Sequence, residues 1–332
     1  MSGARPAISV VIPCFAEERF EDVLAGLDAL GRQTVPPAET VVVVDHNPAL
    51  LAGLRRSQPG VRVIANREHR GSSGARNTGV AATSGEIVAF FDDDAAPEAD
   101  CLERLAAHYA DERVAGVGGG VSPEWSSGRP RWFPEEFDWV VGCSYRGLPE
   151  RPAAQRNLLG AAMSFRRLAL ETAGGFSAEM ARTGRHPLGV DDTEACIRVR
   201  RIFPGSILLY APEARARHRV PAARESLRYF CTRCFAEGRA KAALTTVSGW
   251  DESLCSERAY VLRVLPAGVL RGVAESVTGR DRAGVERSLA IVAGLLLTTT
   301  GYVAGMLQAS WRRAVRPRRS ADPASSSKPK GP

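Results

Sequence analysis

One stretch limits the fold of this 332-residue chain more than any other. An apolar run, Ile87-Val88-Ala89-Phe90-Phe91, leads straight into Asp92-Asp93-Asp94, with Ser84-Gly85 before it and Pro97 after it. β-Branched and aromatic residues in an unbroken apolar run between turn residues predict a strand buried on both faces. That is the pattern of a mostly parallel sheet. The carboxylates then stand at the C-terminal end of the strand, where open α/β sheets hold their ligands. Three adjacent acids repel one another, and either solvent or a divalent cation with hard oxygen ligands offsets the repulsion. Asp is also a good N-cap for a following helix. On these residues alone both readings stay open.

The flanking sequence repeats the pattern. Residues 8–13, 41–45 and 61–64 are apolar strands, and the first two end at Pro13 and Asp45. Between them, residues 17–30 carry Phe20, Val23, Leu24, Leu27 and Leu30 at helical spacing behind an acidic first turn, and 48–56 forms a short helix. Residues 71–82 make a Gly- and Ser-rich loop entering a helix that carries Arg76. It is either an anion cradle or a turn with an N-cap, and it matches neither the dinucleotide nor the Walker pattern. A helix over 98–109 and a strand over 114–121 follow. The alternation predicts a doubly wound parallel sheet with Asp45 and Asp92 to Asp94 facing one crevice.

Residues 122–157 hold Trp125, Trp132, Phe133, Phe137, Trp139 and Tyr145 among five prolines, as a cover for the core or a platform for substrate. Further elements are a strand at 158–165, a helix stop at Gly174-Gly175, a helix opening on Asp191-Asp192, and strands at 207–210 and 214–220, the last holding His218. An acidic pair at a helix start is either a cap or a functional group.

The formal charge is +7, and the tail from Arg312 holds seven basic residues and one acidic one, so the basic balance does not argue for a nucleic-acid-binding core. Seven scattered cysteines predict free thiols and a reducing compartment, and Cys231-x-x-Cys234 lacks the second pair of a zinc site. The N-terminus lacks the pattern of a signal peptide.

These motifs, in this order over about residues 7–220, resemble the family 2 glycosyltransferases of the GT-A fold. Residues 9–13 resemble the opening strand, Val43-Val44-Asp45 the strand whose Asp meets the nucleotide base, and residues 75–79 the Ala-Arg-Asn-x-Gly element. Asp92-x-Asp94 resembles the D-x-D metal site, and Gly160 with the Phe165-Arg166-Arg167 and Gly174-Gly175-Phe176 segments resembles the acceptor side. Asp191-Asp192 stands where the Glu-Asp pair carries the base, and His218 resembles a late metal-holding histidine. Three segments depart from the pattern: Asp45-His46-Asn47 for an Asp-Asp-Gly-Ser type ending, Cys14-Phe15-Ala16 for Thr-Tyr-Asn, and Asp191 for Glu.

The resemblance implies an inverting transferase that uses a nucleotide-diphosphate sugar, UDP-linked by preference. Pro13, Phe15, Glu17, Asp45, Arg76, Asp92, Asp93 and Gly160 would bind the donor. Asp92, Asp94 and His218 would hold Mg2+ or Mn2+, Asp192 would be the base with Asp191 second, and Asp93 would meet ribose or backbone. A structural role for His218 stays open. A nucleotidyltransferase and a non-catalytic nucleotide-sugar-binding protein are the rival readings; neither needs a base at Asp192.

The chain therefore divides into a catalytic domain over 1–220, a helical extension over 221–311 and a basic, disordered tail over 312–332. A long helix over 224–246 packs its face of Leu227, Phe230, Cys231, Cys234 and Phe235 against the catalytic domain. Residues 288–311 have no charge and, as a helix of about 36 Å, reach across a bilayer. A single span from the cytosol would carry the basic tail outward against the positive-inside tendency. An in-plane or re-entrant helix, a hairpin shared with 260–274, and a buried or dimer-forming helix are the alternatives. Attachment to the cytoplasmic face of the membrane implies a lipid-linked acceptor, with a free glycan as the other class. Residues 132–139 also resemble archaeal-type glucuronosyltransferases that act on dolichyl-phosphate-linked glucose.

Overall fold

Val10, Val11, Val41, Val42, Val43, Val88 and Phe90 have no exposed surface. At roughly 1.5–3 kcal/mol per buried side chain, this commits their runs to the centre of a sheet. In the computed structural model, which describes residues 6–180, 182–183, 186–187, 189–248 and 258–315, these runs are three adjacent strands. β1 (Ile8–Cys14) lies parallel to both β2 (Glu39–Val44) and β4 (Ile87–Phe91), and β3 (Arg62–Ala65) extends the sheet beyond β2. The connecting helices are α1 (Phe20–Gly31), α2 (Pro48–Ser57) and α3 (Ser72–Ala81). The Asn47 side chain caps α2 by accepting from the Leu50 amide at 3.0 Å, with Pro48 in the first turn. Glu17 to Arg19, expected to open α1, form a separate 3-10 turn.

The other half of the sheet is not a continuation of the parallel order. After β5 (Ala95–Pro97) and α4 (Cys101–His108), β6 (Val114–Trp125) does not pair with β4. β8 (Ala162–Arg166), which follows the two-residue β7 (Ala153–Ala154), inserts between them and runs antiparallel to both. The expected sheet is thus mostly parallel but interrupted. Apolar runs report burial and not direction, and the long excursion before β8 returns the chain from the opposite end. α5 (Arg167–Thr172), a separate ribbon of β9 (Arg182–Thr183) and β10 (His186–Pro187), and α6 (Asp191–Ile202) precede the last strand.

That strand, β11 (Ile207–Val220), joins the two strands expected at 207–210 and 214–220. It runs parallel to β6 with a register break between Ala211 and Arg215. Gly119 admits the break: a Cβ there would lie 2.3 Å from the Ala214 carbonyl oxygen. Past the break β11 pairs antiparallel with β5, with His218 opposite Ala95. This pairing carries a residue 124 positions downstream to the acidic cluster.

The aromatic excursion covers the core and also borders a cavity. Phe133 and Phe137 are buried, and their ring centroids lie 5.4 and 5.3 Å from that of Phe230. Trp139 and Tyr145 line a cavity, and Phe137 borders it as well. The long helix α7 (Leu227–Ser248) buries Phe230 and Cys234, while Leu227, expected on the same face, is exposed. A π-helical turn (Tyr260–Val264) leads into α8 (Leu265–Val277), and α9 (Gly284–Val315) follows.

α9 lies along α7 at backbone contact. A Cβ on Gly238 would stand 2.0 Å from the Thr298 carbonyl oxygen, and one on Gly301 would stand 2.1 Å from that of Phe235. Its stretch Gly284–Trp311 is long and apolar enough to cross a membrane, with mean hydropathy 1.7 and 22 % of its most apolar window buried. Leu289, Leu296, Leu307 and Trp311 on α9 and Leu270 and Val277 on α8 are exposed. Six cysteines are free among the described residues, and the tail expected to be disordered lies outside them from 316 onward.

Candidate active site

The ends of β1, β2 and β4, the starts of α3 and α6, and the cavity-facing sides of α7 and α9 enclose one cavity of about 1130 Å³. Of the twelve residues singled out in the sequence, eleven line it: Pro13, Phe15, Asp45, Arg76, Asp92, Asp93, Asp94, Gly160, Asp191, Asp192 and His218. Glu17 does not; it is exposed on the 3-10 turn.

The acidic cluster is a charge-compensated network. Asp94 Oδ1 lies 2.9 Å from His218 Nε2, and Oδ2 meets Arg19, with Arg224 at 3.6 Å. Burial alone would raise the Asp94 pKa, but His218, Arg19 and Arg224 outweigh it and hold this carboxyl well below the usual range. Asp93 is buried beside it. Desolvation, followed by the Asp94 charge, pushes its pKa up to about 8, and its Oδ2 has no hydrogen-bond partner among the described residues. Asp92 is the most open of the three and accepts from Arg76 at 3.1 Å.

Asp92, Asp94 and His218 each offer a ligand atom within 4.8 Å of the others. Two hard oxygens and an imidazole suit Mn2+ or Mg2+ better than a soft metal. His218 Nδ1 is buried without a hydrogen-bond partner among the described residues, which hold the ring through Nε2. The donor set fits a divalent cation.

The second pair divides into two unlike carboxylates. Asp191 is buried, and its Oδ2 accepts from Ser72 Oγ at 3.1 Å, Ser73 Oγ at 2.9 Å and Arg76 at 2.8 Å. The anion cradled by the Gly-Ser loop is thus a carboxylate of the chain itself. Asp45 ties down the same loop, with Oδ2 accepting from the Gly71 amide at 2.8 Å and Oδ1 from Asn66 at 2.7 Å. Asp192 Oδ1 accepts from the Thr193 amide at 2.6 Å, and Oδ2 points towards Gly160. A Cβ at Gly160 would lie 3.2 Å from both Asp192 Oδ2 and Arg76 Nη2, so a side chain would press on both groups. Burial, and next the neighbouring Asp191 charge, push the Asp192 pKa up to about 6. A carboxylate poised there is basic enough to take a proton and is still ionised at neutral pH.

Arg76 joins the two groups. It is buried, it bridges Asp191 and Asp92, and its guanidinium lies over the Phe176 ring at 5.5 Å. Two of the segments that depart from the family pattern meet: Asn47 donates to the Phe15 carbonyl at 3.0 Å, His46 Nδ1 lies 2.7 Å from Asp45, and the Phe15 ring is exposed. Sequence reasoning did not find Arg19 and Arg224, which reach Asp94 from an unremarked turn and from the start of the C-terminal region. It also missed Tyr260, whose hydroxyl accepts from Trp139 Nε1 at 3.1 Å on the aromatic wall.

Comparison with known proteins agrees with this construction. Residues 9–174 match Glycosyl transferase family 2. The chain is 30 % identical over 304 residues to the glucosyl-dolichyl phosphate glucuronosyltransferase of Haloferax volcanii, covering 90 % of this chain and 96 % of that one. It is 28 % identical over 239 residues to the succinoglycan biosynthesis protein ExoM of Rhizobium meliloti, covering 67 % of this chain and 70 % of that one. Among solved structures, mannosyltransferase PcManGT from Pyrobaculum calidifontis, in complex with GDP-Man and Mn2+, shares the fold. The TM-score is 0.58 at 19 % identity, over 89 % of this chain and 87 % of that one. With the D-x-D cluster, the buried arginine and the acidic pair gathered round one cavity, the chain belongs to glycosyltransferase family 2 and has the GT-A fold.

Proposed function

We propose that the protein transfers a sugar, with inversion, from a nucleotide-diphosphate sugar to a hydroxyl of a lipid-linked acceptor at the cytoplasmic face of a membrane. A uridine diphosphate sugar is the first donor to test. The observation that carries the reading is the contrast between Asp191 and Asp192. Asp191 is held by three donors, whereas its neighbour keeps one oxygen facing the cavity and a pKa near 6.

A divalent cation at Asp92, Asp94 and His218, when bound, supplies charge neutralisation to the diphosphate leaving group. Asp192 takes the proton of the acceptor hydroxyl as that oxygen attacks the anomeric carbon, and the bond to the diphosphate breaks on the opposite face of the sugar. Asp191 positions Arg76, whose charge stands between the base and Asp92. The Haloferax relative's name supports a dolichyl-phosphate-linked sugar as the acceptor class.

Membrane attachment rests on α9. It lies along α7, whose Arg233, Glu237, Arg239 and Lys241 make a bilayer crossing by the pair costly. Its outer face, with that of α8, is a row of exposed apolar side chains suited to lying in the membrane surface.

The test is a panel of nucleotide sugars with and without Mn2+, assayed for transfer to a short-chain isoprenyl-phosphate-linked glucose and to an alkyl glucoside. Metal-dependent transfer with an inverted product is the expected result. Retention of configuration, or undiminished transfer by Asp192→Asn, would overturn the mechanism.

A further inference from the structure

The α7 wall of the cavity carries Arg233, Glu237 and Lys241, four residues apart and therefore on one helix face. Arg233 Nη2 lies 3.3 Å from Glu237 Oε2, and Lys241 Nζ lies 3.5 Å from Oε1. Both cations line the cavity, with the Glu237 carboxylate between them. Arg233 Nη1 is buried without a hydrogen-bond partner among the described residues. Thr298, Thr299 and Tyr302 of α9 also line the cavity, as do the apolar Leu265 of α8 and Leu295 of α9. Glu237 is close enough to Asp192 to help raise its pKa, so the cations share the electrostatic environment of the base.

We infer that Arg233 and Lys241 form the binding site for the acceptor's phosphate. Arg233 Nη1 and Lys241 Nζ hold the phosphate that joins the acceptor's sugar to its isoprenoid, the sugar extends towards Asp192, and the isoprenoid leaves past Leu295 onto the outer face of α8 and α9. The guanidinium fork suits a phosphate, and the adjoining ammonium adds a second positive charge. Nothing on the donor side needs these residues, since Arg19, Arg76 and Arg224 already surround the acidic cluster. The inference rests on the lipid-linked reading of the acceptor.

The test measures binding, not turnover, so that it can fail separately from the transferase reading. The full-length protein in detergent is titrated with citronellyl phosphate, citronellol and inorganic phosphate. Citronellyl phosphate should bind, with citronellol at least tenfold weaker. Inorganic phosphate should compete weakly, which separates a lipid phosphate from a free one. Arg233→Ala with Lys241→Ala should weaken citronellyl phosphate at least tenfold and leave citronellol within about twofold, while Arg233→Lys should retain most of the affinity. Glu237→Gln, which removes the competing carboxylate, should tighten binding several-fold. Equal affinity of the wild type for the phosphate and the alcohol overturns the site, and so does undiminished phosphate binding by the double variant. If the double variant fails to fold, Glu237→Gln and Arg233→Lys still decide, and no tightening in the former counts against the site. Phosphate-dependent binding without transfer from any donor would leave the site standing and sink the transferase proposal.

Discussion

The two walls of the cavity are built in opposite ways. The donor-side wall comes from strand ends and the first turns of helices, and nearly every charge on it already has a partner: Asp94 with His218, Arg19 and Arg224; Asp191 with Ser72, Ser73 and Arg76; Asp45 with Asn66 and the Gly71 amide. The α7–α9 wall comes from long helices held at backbone contact by glycines, with aromatic side chains lining it, a cation left partly unpaired, and an exposed apolar back. The first wall is organised before any ligand arrives, as charge-developing chemistry requires. The second offers an aromatic lining inside and an exposed apolar surface outside. Within the first wall Asp93 Oδ2 and Asp192 Oδ2 stand outside these pairs: the former is buried, and the latter is the exception that faces Gly160 at the cavity and that we propose as the base.

The sharpest way to break this contrast is at its exception. Asp192→Asn should lower transfer by about 10³-fold while leaving the donor Kd within about threefold. In the wild type, kcat/KM should rise as pH increases through about 6, because the base acts only when ionised. A profile with no inflection in that region would remove Asp192 from the role. On the same wall, His218→Ala should cost about 10²-fold in activity and raise the Mn2+ concentration needed for half-maximal rate, and chelation should abolish transfer in the wild type. A variant indifferent to Mn2+ titration would leave His218 a purely structural partner of Asp94. Gly160→Ala should reduce kcat by about tenfold with little change in Tm, since the added methyl presses on Asp192 and Arg76 at 3.2 Å and leaves the core untouched.

On the other wall the expected effects are on stability and attachment. Gly301→Leu forces apart two backbones in contact and should destabilise the fold by about 1–3 kcal/mol, read as a lower midpoint in urea. The smallest expected change in stability is that of Leu296→Glu with Leu307→Glu, within about 0.5 kcal/mol because both side chains are exposed. The same variant should lose binding to anionic vesicles. A Tm drop of many degrees would mean that this face is covered by protein, such as a second copy of the chain, and not by lipid.

The strands ending at Pro13, Asp45 and Asp92 were legible because each is a local apolar run closed by a distinctive residue, and periodicity within a few residues reports burial directly. The order of Asp45, Arg76, Asp92, Asp94, Asp192 and His218 carried the family resemblance because order is read along the chain: the aspartates lie at or beside element ends, while Arg76 lies inside α3 and His218 inside β11. The insertion of β8 between β4 and β6 was not legible, since strand direction depends on where a long connection re-enters the sheet. Glu17 shares a turn with Arg19, yet Arg19 reaches Asp94 and Glu17 faces solvent; one turn of backbone separates them, and no pattern tells them apart.

The sequence by itself determined the fold class, the family and the inventory of acids, because these rest on burial periodicity and on residues placed at element ends. Only the tertiary structure decided their division of labour. Asp191 and Asp192 are chemically identical neighbours at one helix start, and they differ because Ser72, Ser73 and Arg76, more than a hundred residues away, converge on one of them. The same holds for α9: its apolarity is written in the chain, but its position along α7, and so which of its faces stays exposed, follows from contacts between residues some sixty positions apart. Electrostatics and packing act through space, and a linear pattern records neither distance.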